Sequence, residues 1–150
     1  MKPAKLRARL RKRAFTLVEI LIVVIILGIL ASVVVPQMVS ATNESSVTVT
    51  LNELNKLRNH VQVYRAFNSG ALPNVVAGNG TWGEIVTAAG DYLKEPPTNA
   101  YVGGVNGRVI TLANTPDVAW QNGYGWIFDP ATGNVWAGSF DANDMPIPAP

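Results

Sequence analysis

Glu19 is the residue of this chain that most plainly asks for chemistry. It is the only charge in a 25-residue run from Phe15 to Val39, FTLVEILIVVIILGILASVVVPQMV, that is otherwise almost wholly apolar. A carboxylate is expensive inside a bilayer, and acids retained there usually have a partner and a function. Were the chain cut between Ala14 and Phe15, a new α-ammonium would stand four residues before Glu19. One helical turn separates the two, yet a fraying terminus is a poor partner within its own chain. Assembly offers a better one. The Glu19 carboxylate of one copy meets the Phe15 ammonium of a neighbour, and a buried pair of that kind rewards one axial register.

Other candidate chemistry is sparse. His60 is the only histidine, and its place on a helix beside Asn59 and Gln62 predicts a solvated or interface position, not catalysis. The chain has no cysteine, which excludes disulfides, thiolate metal sites and cysteine nucleophiles. A single histidine argues against zinc sites and against triads built on others. The glycines of 70–107 include no GxGxxG after a strand, so they read as turns and not as a phosphate cradle. Asp129, Asp141 and Asp144, with Asn134 and Asn143, put oxygen ligands near the carboxyl end, a composition calcium favours; the simpler reading is surface solvation. No metal site and no cofactor are predicted. Trp82, Trp120, Trp126 and Trp136 read as core and subunit contacts before they read as a sugar platform.

The elements that would position Glu19 are set by charge and hydropathy. At 150 residues there is room for one globular unit. Seven of the twelve Lys and Arg lie in residues 1–13 with no acid among them, which leaves five bases against ten acids in the remainder. Basic charge confined to a short leader does not describe a nucleic-acid surface, and no nucleic-acid partner is predicted. Twenty-five helical residues reach about 37 Å, enough to cross a hydrocarbon core of about 30 Å. The positive-inside bias then keeps the amino terminus cytoplasmic and places the chain beyond Ala41 outside. A secretory signal cut after Ala31, or a plain anchor carrying an extracytoplasmic enzyme or binding module, would share this charge pattern. Neither explains the glutamate.

The stretch RAFTLVEILIVVIILGILA, from Arg13 to Ala31 and on through Val35 to Pro36, resembles the amino-terminal signal of type IV pilins and type II secretion pseudopilins. The resemblance implies cleavage before Phe15 by a prepilin peptidase, N-methylation of the new amine, and an assembly role for Glu19. It likewise implies that Gly28 and Pro36 loosen or kink the stem. One residue departs from the pattern: Ala14 stands where the family nearly always has Gly, which puts the efficiency of the cut in question. The segment YLK…P…N-x-Y…G, between Tyr92 and Gly104, is similar to one in major pseudopilins and small pilins. The family's calcium aspartates find no clear counterparts here.

Beyond the membrane run, Val47, Leu51, Leu54, Leu57, Val61 and Tyr64 fall at helical spacing. The expected fold is therefore α+β, with one long amino-terminal helix packed against a small antiparallel sheet, and the resemblance implies that it is pilin-like. The expected organisation is a basic leader over 1–14, a transmembrane or filament-core helix over 15–39, an amphipathic half over 40–67 and a head over 68–150. Asn68-Ser-Gly-Ala-Leu-Pro73 ends the helix. A short helix is expected around Trp82–Ala89. Strands are expected over 108–112, 118–121, 124–129 and 135–137, the last two joined as a hairpin by Asp129-Pro-Ala-Thr-Gly-Asn134. The tail from Asp144 reads as extended and loosely held.

The resemblance implies a structural subunit of a helical filament and not an enzyme. A major pseudopilin of a type II secretion system comes first, and a type IV pilus subunit for adhesion, motility or DNA uptake second. It further implies partners: other copies of the chain, a prepilin peptidase, an inner-membrane assembly platform with minor pseudopilins, and membrane lipid before assembly. The implied location is the inner membrane, then a periplasmic or cell-surface filament.

Overall fold

The computed structural model describes residues 15–78, 80–87 and 92–149, except for the side chains of Pro36 and Val39. The leader, with Ala14, lies outside the described residues. Helix α1 is Leu17–Phe67, and it continues without interruption through Gly28 and Pro36, so no melted segment lies between them. At its far end Asn68 donates its side-chain amide to the Tyr64 carbonyl (2.8 Å) and the Gly70 N–H closes onto Arg65 O (2.8 Å). Gly70 takes φ +87°, a conformation glycine adopts at no steric cost, and the chain leaves the helix there as its punctuation predicts.

The chain divides into two units, through Ser40 and from Ala41 onward. In the first, the large apolar side chains from Leu17 to Val35 are 48–90% exposed. The second has a core of its own. Leu54, Leu57 and Val61, three members of the predicted stripe, are fully buried, with Val47 and Leu51 packed at the edge. Against them lie Trp82, Ile85, Ile110, Trp126, Phe128, Val135 and Phe140. Trp82 meets Trp126 and Phe128 edge-on, at centroid distances of 6.4 and 6.1 Å, an arrangement the ring quadrupoles favour.

The sheet has three strands in the order β1 (Ile110–Leu112), β2 (Trp126–Phe128) and β3 (Val135–Ala137). β2 and β3 form the predicted hairpin, with Ile127 opposite Trp136. β1 runs parallel to β2, so the sheet is mixed and not antiparallel as expected. The reason is the connection: residues 113–125 are long enough for a crossover, which a tight turn is not. Residues 118–121 form no strand; there Gln121 takes its bonds from side chains, its N–H donating to Ser139 Oγ (3.0 Å). The helix expected near Trp82 is a single 3₁₀ turn, Gly83–Ile85, and a second such turn, Val105–Arg108, precedes β1. The carboxyl tail is tied down through Ile147, whose N–H donates to Ser139 O (2.9 Å) and whose carbonyl accepts from Tyr101 Oη (2.8 Å).

Candidate functional site

Glu19 sits at the start of α1, three residues after Thr16, and the two form a reciprocal cap. The Glu19 N–H donates to Thr16 Oγ1 (3.2 Å), while the Thr16 N–H and hydroxyl both donate to Glu19 Oε2 (2.9 Å each). This is a capping box, which satisfies amide donors that the first helical turn leaves without intrahelical partners. A carboxylate also suits the positive end of the helix dipole. Glu19 thus receives two hydrogen bonds from its own chain. Thr16 escaped the sequence reading although T-x-x-E before an apolar run is the signature of the box. Among the described residues, Oε1 accepts no hydrogen bond.

Among the described residues of its unit, the helix that carries this group has no cover. Phe15 is 72% and Leu17 90% exposed. A Cβ at Gly28 would meet nothing within 4 Å, so nothing inside the chain requires glycine there. α1 is long and apolar enough to cross a membrane. The only side-chain hydroxyl between Leu17 and Val35, that of Ser32, donates to Ile29 O (2.7 Å) and presents no free donor to the surroundings.

In the second unit the candidate residues are structural. His60 packs edge-on against Tyr92 (6.3 Å), and Tyr64 tilts against the same ring (5.8 Å). Trp82 and Trp126 are core, whereas Trp120 and Trp136 are part-exposed. The acids considered for calcium have other work. Asp129 accepts from the Ala131 N–H (2.8 Å) and the Thr132 hydroxyl (2.6 Å), and these bonds hold its carboxyl below the usual range. Asp141 accepts from the Met145 and Asn143 amides (2.9 and 2.8 Å), with the same consequence. Asp144 forms a two-pronged pair with Arg58 (2.6 and 2.9 Å), whose Nε donates to Val135 O (3.0 Å). Among the described residues no three His, Cys, Asp or Glu gather as a metal site.

Asn99 is the second residue that sequence reasoning passed over, although it is the Asn of the N-x-Y segment. It is fully buried and uses both ends of its amide. Oδ1 accepts from the Tyr101 and Val102 amides (2.9 and 3.0 Å) and from Thr50 Oγ1 (3.2 Å), while Nδ2 donates to Gly125 O and Gly138 O (2.9 Å each). One side chain thereby joins the later part of α1, the loop after Pro97 and both ends of the hairpin.

The amino-terminal pattern has a recognised counterpart: residues 9–35 match the family described as the prokaryotic N-terminal methylation motif. The chain carries that motif. The chain is homologous over part of its length to type II secretion system core protein G of Pseudomonas aeruginosa, 40% identical over 60 residues, which are 40% of this chain and 42% of that protein. Core protein G of Dickeya chrysanthemi is 36% identical over 59 residues, 39% of each. The chain thus spans about two-fifths of the length of these curated relatives. The type IV wide pilus major component PilA4 of Thermus thermophilus is 28% identical over 115 residues, 70% of this chain and 82% of that one. No solved structure matches.

Proposed function

We propose that this chain is a structural, non-enzymatic subunit of a pilin-like filament, made as a prepilin and cut and N-methylated at Phe15 by a separate peptidase. The observation that carries this reading is an uncovered apolar helix that begins with a capped acid, within a methylation motif spanning 9–35. Such a helix needs lipid before assembly and other stems after it. Residues 1–14 serve as leader, 15–39 as membrane and filament-core helix, 40–67 as the amphipathic half and 68–150 as head. Gly28 and Pro36 give the stem pliancy when it passes from one environment to the other. The membrane form has its amino terminus in the cytoplasm and its head outside. An inner-membrane platform and minor pseudopilins act as assembly partners.

Within the family the reading is a major pseudopilin of a type II secretion system, supported by the matches to core protein G. The alignment with PilA4 reaches beyond the stem into the head and favours a type IV pilus subunit as the second reading. Amino-terminal sequencing with intact mass tests the processing: a chain starting at N-methyl-Phe15 is expected, and an intact leader or a start at Ser32 contradicts it.

Glu19 can be tested for charge separately from its cap. Glu19→Gln keeps an acceptor suited to a capping box but loses the charge. Both Glu19→Gln and Glu19→Ala are expected to be processed normally and to reduce polymer about tenfold or more, the effect of losing a buried ion pair. Normal polymer from Glu19→Gln discards the intermolecular pair and leaves the cap as the whole role of Glu19.

A further inference from the structure

The second unit has a groove of about 890 Å³ between the start of its helical segment, the loop at Tyr101, Trp120 and the tail at Pro146 and Pro148. Its lining contains one charged residue, Glu44, and no lysine or arginine. Its three hydroxyls are already engaged: Ser46 donates to Thr42 O (3.0 Å), Thr48 to Glu44 O (2.9 Å) and Tyr101 to Ile147 O (2.8 Å). The side chains of Asn43 and Glu44 form no hydrogen bond or ion pair among the described residues.

The chemistry of this lining selects its occupant. An uncompensated carboxylate repels a phosphate but attracts an ammonium, and aromatic walls add to that attraction through their quadrupoles. Position in the chain selects the source. Glu44 lies only five residues after Val39 in the sequence, so the chain itself tethers it near the end of the apolar run, and the headgroup layer beyond a hydrocarbon core is about 5–8 Å thick on each side. Tryptophan and tyrosine are enriched at that depth.

We propose that the groove is a lipid headgroup site, which takes the ammonium end of a phosphatidylethanolamine from the leaflet on the side of the head. Glu44 is its counter-ion, Tyr101 and Trp120 are its walls, and the Asn43 amide is a donor for the headgroup phosphate. The proposal rests on the membrane reading of residues 15–39. It gives the stored subunit a lipid preference that the apolar helix alone does not supply.

The full chain in mild detergent, offered equal amounts of phosphatidylethanolamine and phosphatidylglycerol, would be read by native mass spectrometry. About fivefold preferential retention of the ethanolamine lipid is expected, the order of one exposed cation–aromatic contact with its counter-ion. Glu44→Gln, at an exposed position where the backbone bond to Thr48 is unaffected, is expected to bring the ratio to about one, and Trp120→Leu to lower it. Equal retention of the two lipids, or a preference untouched by Glu44→Gln, overturns the headgroup site. A parallel reconstitution into vesicles of phosphatidylglycerol alone and of the two lipids mixed separates the underlying reading. Failure to insert into either overturns the membrane reading and the site together, whereas insertion into both with no lipid preference overturns the site only. Lipid-free dimers that form in place of lipid-bound monomers, and that Glu44→Gln abolishes, assign the groove to a second copy and overturn the proposal.

Discussion

Ile25 and Leu57 lie on the same helix and have similar bulk, yet Ile25 is 52% exposed and Leu57 is fully buried. Secondary structure does not distinguish them; cover does. Leu57 belongs to the packed core with Trp82, Phe128 and their neighbours in the unit from Ala41 onward, whereas no described residue of the unit through Ser40 covers Ile25. The later stretch has one apolar stripe and brings its own lid. The earlier one is apolar on nearly every face, the pattern of a helix that lies in a large core or a membrane.

This contrast predicts opposite responses to the same truncation. Leu57→Ala is expected to lower unfolding stability of the detergent-solubilised chain by about 2–5 kcal/mol, the cost of a cavity in a packed core. Ile25→Ala is expected to change it by less than about 0.5 kcal/mol. Urea unfolding followed by tryptophan fluorescence reads both, since all four tryptophans lie in the second unit. Equal losses would mean that the two stretches are not covered differently.

A smaller effect concerns how the second unit closes. Asn99→Ala removes five hydrogen bonds from a fully buried position and leaves the Gly125 and Gly138 carbonyls without that donor. A loss of about 3 kcal/mol is expected by the same unfolding assay. Asn99→Asp restores the acceptor but not the donor and is not expected to rescue it. The Arg58–Asp144 pair is about one-third exposed on both sides, so Asp144→Asn is expected to cost about 1 kcal/mol or less, and less still in high salt.

The smallest effects are those of pH. Asp129 and Asp141 have folded-state pKa values below their ordinary 3.8 because backbone amides and a hydroxyl bond to the charged form. Their contribution is present above that value and is lost as pH falls through the lower folded values, so stability should decline below about pH 4. Tyr124 behaves in the opposite direction. Burial, with its hydrogen bond to Asp117 (2.5 Å), pushes its phenol up to about 12 from 10.0, so its contribution is whole below pH 10 and is lost as pH rises toward 12. Asp129→Asn should flatten the acid limb and Tyr124→Phe the alkaline one in thermal unfolding measured across pH.

Much of this was legible in the sequence because it rests on period and punctuation. Spacing of 3 and 4 exposed the stripe at Leu54, Leu57 and Val61, and Asp129-Pro-Ala-Thr-Gly-Asn134 announced the hairpin. The direction of β1 was not legible, since a long irregular connection carries no sign of which way the next strand will run. The tail was misread for a related reason: its prolines suggest extension, but its anchors, Arg58 and Tyr101, are distant in sequence. At the candidate site Glu19 stood out by charge alone. Thr16 did not, although the T-x-x-E spacing carries the signature of a cap, because a hydroxyl beside an apolar run is common; the geometry shows its N–H and hydroxyl both reaching Glu19.

Whether the stem from Leu17 to Val35 is covered by other copies of itself can be tested in cells that assemble the chain. A photo-crosslinking amino acid placed at Ile25 reports directly on what touches that side chain. A ladder of dimers, trimers and higher multimers of the processed chain is the predicted result, with the ladder lost in Glu19→Gln. Crosslinks to lipid alone, with the chain still a single copy, would contradict the account.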